Sequence, residues 1–175
     1  DLFRLTANHR RQAMIRALFF DLDNTLIDRD AAYRRYAIDL LNRLDARRMD
    51  CNHDELLDDI LKHDRNGIED RSVHCKWLSQ KFSEVTNWKS QDFWKDQLDF
   101  LPNFVVPDQS VQAMLRDLSS RFQLVAISNG SSQNQRHKLR QANLESVFGH
   151  ILISGELGVE KPDRLIFEKA LSLVN

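Results

Sequence analysis

Three short apolar runs stand out along a chain that is otherwise mixed in polarity. They are Ala17-Leu18-Phe19-Phe20, Leu124-Val125-Ala126-Ile127 and the stretch over residues 150–154. Each is too short for a helix and continuous rather than alternating, the pattern of strands buried on both faces. Between the first two runs the period changes. Tyr33, Tyr36, Ala37, Leu40, Leu41 and Leu44 recur at helical spacing, then Leu56, Leu57, Ile60 and Leu61. Val73, Trp77, Leu78, Phe82 and Val85 follow, then Phe93, Trp94 and Leu98. Four helices are expected over residues 29–102. Beyond them, Asp108 is placed to cap a helix with Val111, Met114, Leu115 and Leu118 on its apolar face. A helix over residues 131–142 should follow the second run. Pro162 and Asp163 should open a last one that buries Ile166, Phe167, Ala170, Leu171 and Val174.

Strands that alternate with helices imply right-handed crossovers and a parallel sheet, with the loops after all three strands on one edge. The expected class is α/β, a Rossmann-like parallel sheet interrupted by an α-helical insertion. Residues 14–28 and 103–175 would form the core, residues 29–102 the inserted lobe, and residues 1–13 an N-terminal extension.

The strand ends carry the candidate chemistry. The first run leads into Asp21-Leu22-Asp23-Asn24-Thr25-Leu26. Residues two apart on a strand share a face, so Asp21 and Asp23 would converge if extended geometry persists through Leu22. With a hard cation, one carboxylate can attack phosphorus while the other moves protons. Alone, such a pair of acids is equally a solvated or capping loop. The second run ends in Ser128-Asn129-Gly130, small hydrogen-bonding residues where a turn opens a helix and an anion is readily held. Lys161 lies further on, before Pro162 at a probable helix start. A hydroxyl, an amide and an ammonium suit a phosphoryl group.

This order of residues resembles the haloacid dehalogenase superfamily, in its phosphatase-like branch with a helical cap. Asp21 to Leu26 match its first motif, Ser128-Asn129-Gly130 its second, and Lys161-Pro162 its third. The resemblance implies Asp21 as the nucleophile that becomes an aspartyl-phosphate, and Asp23 as general acid and then base. It implies Ser128, Asn129 and Lys161 as holders of the phosphoryl oxygens, with Lys161 also steadying Asp21. Mg2+ would be held by the Asp21 carboxylate and the Asp23 backbone carbonyl. The acid at Asp23 favours phosphate ester hydrolysis of a small phosphorylated metabolite over dehalogenation. The family's fourth motif, an acidic strand end completing its metal site, has no counterpart in residues 163–175. An incomplete core is therefore expected, with a sheet edge open to self-association. A member with a binding or regulatory role in place of turnover is the alternative.

Composition narrows the class further. With 42% hydrophobic and 29% charged residues and a formal net charge of −1, the chain reads as an ordinary globule. Its balance gives no support for a nucleic-acid or membrane partner. Cys51 and Cys75 make no disulfide framework or zinc spacing, which suggests reduced thiols and a cytoplasmic setting. The six histidines lack a metal-binding pattern, and Trp77, Trp88 and Trp94 read as packing for the helical lobe. Arg34, Arg35, Arg47 and Arg48 read as solvated helix charge, with recognition of an anionic substrate group from the cap as the alternative. Asp54, Glu55, Asp58 and Asp59 read as a solvated helix face.

Overall fold

The computed structural model describes residues 15–46, 49 and 52–174. The N-terminal extension, Arg47, Arg48 and Cys51 lie outside the described residues. Three strands, β1 (Ala17–Phe20), β2 (Gln123–Ser128) and β3 (His150–Ile153), form one parallel sheet in the order β1-β2-β3. Leu18 pairs with Leu124, and Ala126 with Ile151. Side chains alternate across the sheet as the period of two requires. Leu124 and Ala126 face the larger core with Leu18 and Phe20, while Val125 and Ile127 face a smaller one with Phe19 and Leu152.

Four helices occupy residues 29–102: α1 (Arg29–Arg43), α2 (His53–Asp64), α3 (Arg71–Lys81) and α4 (Ser90–Phe100). Each of the first three starts where a short polar side chain caps free backbone N–H groups. Asp28 accepts from Ala31 N at 2.9 Å, Asn52 from Asp54 N at 2.9 Å, and Asp70 from Ser72 N at 2.8 Å. Leu40, Ile60, Leu78, Phe82 and Phe93 are fully buried and belong to the same apolar cluster as the larger face of the sheet. Helical lobe and sheet therefore share a core.

The remaining helices are α5 (Gln109–Ser119), α6 (Ser132–Gln141), the short α7 (Ser154–Leu157) and α8 (Arg164–Ser172). Asp108 caps α5 as expected, accepting from Ser110 N at 2.8 Å. α5 and α6 contribute Leu115 and Leu139 to the larger core, whereas α8 covers the other face with Ile166 and Ala170. The buried stripe of α8 is narrower than its periodicity suggests. Phe167 and Leu171 are exposed, on a flank that no described residue covers. Val73 and Met114 are likewise exposed rather than buried. Residue 154 leaves β3 and begins α7, a turn that the apolar run gave no reason to expect.

Candidate active site

All three strands end on one edge, and the loops there bring the three motifs together. β1 stops at Phe20, one residue before Asp21. The chain then closes into a tight turn in which Leu22 O accepts from the N–H groups of Thr25, Leu26 and Ile27. Leu22 is wholly buried and anchors that turn, and Asn24 takes a left-handed conformation at φ 58°. Asparagine tolerates this better than most residues, and its side chain accepts from Asp30 N at 3.1 Å. The extended path ends at the Asn24 turn, just after Asp23 bridges to Ile27, and the two acids meet different partners.

Asp21 is half-exposed, with its Oδ1 bound by the Lys161 ammonium. Lys161 Nζ also donates to Ile127 O at 2.8 Å, which pins the lysine over the end of β2. Asp21 Oδ2 has only a 3.5 Å contact from the Thr25 hydroxyl and remains open. Asp23 has other partners: both of its oxygens accept from Lys138 Nζ at 2.8 Å, with Gln135 Nε2 donating at 3.0 Å. Burial would raise the Asp23 carboxyl, but the adjoining Lys138 ammonium and the two sets of hydrogen bonds outweigh it and hold the group below the usual carboxylate range.

Lys138 and Gln135 were not evident as site residues. They stand three apart on α6, hence on one helix face, and both are buried beside Leu139. The available signal was a lysine on the apolar face of a helix that directly follows the second motif. A buried lysine is rare without a partner, and Asp23 is that partner.

Ser128 is buried at the end of β2, its hydroxyl making only a 3.5 Å contact to Asn129 O. That leaves it able to reorient toward a ligand. The Asn129 side chain has a different role. Its Nδ2 donates to Lys161 O at 2.9 Å and its Oδ1 accepts from Lys161 N at 2.8 Å, so the amide ties the second motif to the third. The turn itself requires glycine: Gly130 has φ 130°, and a Cβ there would lie 2.7 Å from Gln135 Nε2.

A cavity of about 330 Å3 lies between this edge and the helical lobe. Asp23, Asn129, Gln135 and Lys138 line its core side, and Arg71, Trp94 and Gln97 its lobe side. Asp21, Ser128 and Lys161 are not part of its wall. Trp94 is thus the tryptophan at the cavity, while Trp77 stacks on His63 at 4.5 Å and Trp88 packs edge-on against Phe93. Arg35 is committed to Phe104 O at 2.9 Å and Arg34 is exposed, so neither reaches it.

Among the described residues no three acids, histidines or cysteines form a metal-holding group. Two oxygens nevertheless suit a hard cation: the open Asp21 Oδ2, and the Asp23 carbonyl, which accepts no hydrogen bond among the described residues. Mg2+ commonly takes one or two protein oxygens and completes its shell with waters and substrate phosphate, so this donor pair fits it.

The sheet order, the inserted helices and three motif loops on one edge define a hydrolase of the haloacid dehalogenase type. The sequence agrees, because the profile of the haloacid dehalogenase-like hydrolases matches residues 15–175. The chain belongs to that family. It is 30% identical to human N-acylneuraminate-9-phosphatase, over 91% of this chain and 69% of that protein. To the glyceraldehyde 3-phosphate phosphatase of Pyrococcus abyssi it is 29% identical, over 93% of this chain and 69% of the relative. Solved structures share the fold. The magnesium-bound hydrolase YfnB of Bacillus subtilis matches with a TM-score of 0.65 at 20% identity, covering 91% of this chain and 72% of that one. A phosphatase of the family from Thermococcus onnurineus matches at 0.60 and 19%, covering 91% and 71%. Among the described residues no helix is long and apolar enough to cross a membrane.

Proposed function

We propose that this protein removes phosphate from a small phosphorylated metabolite in a magnesium-dependent reaction, through an aspartyl-phosphate on Asp21. The observation that carries the reading is the pairing of two neighbouring carboxylates with two separate lysines, Asp21 with Lys161 and Asp23 with Lys138. It separates the roles of the acids. Asp21 keeps an open oxygen to attack phosphorus, and Lys161 balances charge there without blocking it. Asp23 sits beside the cavity with a proton within reach on Lys138. In the first half-reaction Asp21 Oδ2 bonds to phosphorus as the ester P–O bond breaks, and the leaving oxygen takes a proton that Asp23 relays from Lys138. In the second, Asp23 removes a proton from water and returns it to Lys138, while the water oxygen bonds to phosphorus and the P–O bond to Asp21 breaks, freeing orthophosphate.

Mg2+, held by the Asp21 carboxylate and the Asp23 carbonyl, would supply charge neutralisation for the incoming phosphate. Ser128, at the end of β2, would contact the phosphoryl oxygens. Asn129 contributes by fixing Lys161 in place. Residues 29–102 would act as a lid that closes on the substrate and excludes water, and the buried free thiol of Cys75 accords with a cytoplasmic setting. The names of the curated relatives, both phosphatases of small phosphorylated compounds, support the same class.

The test is to incubate the Asp23→Asn variant with Mg2+ and a panel of aryl phosphate esters, whose leaving groups depart without a proton, then measure intact mass and map the modified residue. Phosphate on Asp21 that turns over slowly is the expected result. A wild-type chain that hydrolyses these esters while no Asp21 adduct forms in the variant would remove the aspartyl-phosphate from the account.

A further inference from the structure

The lobe side of the cavity holds donors with nothing to donate to. Asp64 lies at the end of α2 and is shared by two guanidiniums. Arg29 grips both of its oxygens, and Arg71 Nη1 adds a third contact at 2.9 Å. Arg29 has a second counter-charge in Asp30 at 3.4 Å, whereas Arg71 has only its share of Asp64 among the described residues. Arg71 Nη1 also donates to Gln97 Oε1 at 3.2 Å, while Arg71 Nε and Nη2 have no acceptor among the described residues. That contact fixes the Gln97 amide, since a guanidinium has no lone pair and only the oxygen can face it. Gln97 Nε2 must then point elsewhere, and it is buried with no hydrogen-bond partner. A buried donor left unmatched costs roughly 1–3 kcal/mol. Such a cost concentrated in a cavity wall marks the place where a ligand supplies the missing acceptor.

The opposite wall has the complementary defect. Gln135 Nε2 donates to Asp23 and to Asn129 O at 2.6 Å, so its Oε1 is fixed as an acceptor, and this atom is buried and unpartnered. Acceptors beside the strand ends call for hydroxyl groups. Donors alone, on a cation with half of its counter-charge taken by Arg29, call for a group that only accepts. A hydroxyl would bring its own proton into that cluster, whereas a carboxylate brings none. The three acids in the cavity wall do not oppose this, since Asp23 is neutralised by Lys138. Glu69 is drawn to Arg65 at 3.6 Å and to Asp70 N, and Glu160 is exposed at the rim.

We propose that Arg71 and Gln97 read a carboxylate at the far end of the substrate, making the preferred substrate a phosphorylated hydroxy acid. This rests on the phosphatase reading and adds the chemistry of the leaving group. The test compares 6-phosphogluconate with glucitol 6-phosphate, which differ only in a carboxylate or a hydroxymethyl group opposite the phosphate. Binding in Mg2+ by calorimetry, and kcat/KM, are measured for both. The wild-type chain should favour the carboxylate by about tenfold or more, the scale of a charge-assisted contact. Arg71→Gln should bring the ratio close to one, and Gln97→Leu, which leaves Asp64 and both arginines in place, should reduce it several-fold. Equal binding of the two esters by the wild-type chain overturns the subsite and leaves the phosphatase reading standing. A carboxylate preference that survives both substitutions overturns the assignment to these residues. If neither ester binds nor turns over although aryl phosphate esters are hydrolysed, the subsite falls alone; if those are not hydrolysed either, the functional reading falls with it.

Discussion

Lys138 Nζ lies 2.8 Å from both carboxylate oxygens of Asp23, a residue 115 positions away in the chain. The lysine is almost wholly enclosed, so the pair holds two charges at the boundary of core and cavity. Removing one partner from a buried pair strands the other, at a cost near 3 kcal/mol. Lys138→Met should therefore lower stability in urea by about that amount. Adding Asp23→Asn to Lys138→Met should return much of it, because the amide carries no charge to strand. Equal losses in the single and double variants, read from denaturation midpoints, would show that the pair contributes no coupling.

Asp21→Asn should abolish turnover with the fold intact. The amide is nearly isosteric with the carboxylate but is no nucleophile, and loss of an essential nucleophile costs several orders of magnitude. Steady-state ester hydrolysis with circular dichroism as the control for folding decides the matter. Near-wild-type rates in a folded variant would be incompatible with the assignment.

Asp23→Asn should slow esters with poor leaving groups far more than those with good ones, since a phenolate-type leaving group departs without a proton. The measurement is the dependence of the rate of the first half-reaction on leaving-group pKa. A dependence as shallow as that of the wild-type chain would remove Asp23 as the acid.

Stability should fall in acid before the carboxylates titrate. His74 is fully buried, with Nε2 in contact with the Tyr33 hydroxyl and Nδ1 3.0 Å from His63 Nδ1. Burial is the main cause that lowers it from 6.5 to about 4. The unfolded chain thus binds a proton at this residue over a range where the folded chain does not. The stabilisation is complete above pH 6.5 and is lost progressively toward pH 4, by about 3 kcal/mol in all. His74→Gln, which keeps a hydrogen-bonding group that does not titrate, should flatten the slope of unfolding free energy between those limits. An unchanged slope would place the acid sensitivity elsewhere.

Much of this protein is legible in the order of its residues. Continuous apolar runs specify buried strands, and helical periodicity specifies the four inserted helices, because both follow from the period at which side chains meet an apolar surface. The capping aspartates Asp28, Asp70 and Asp108 act within three residues of themselves and are just as local. Asp21, Ser128 and Lys161 could be named from the motifs, since each stands at or just beyond the end of a strand or the start of a helix. What the tertiary structure alone decided is which group faces which. Asp23 leaves the extended path at the Asn24 turn and meets Lys138, the Asn129 amide ties down the Lys161 loop, and Arg71 and Gln97 come to one wall although 26 residues separate them. These pairings join segments distant in sequence, so no local period records them. They arise because helices on a shared core bring polar side chains to one buried boundary, where each group must find a partner or leave one open to a ligand.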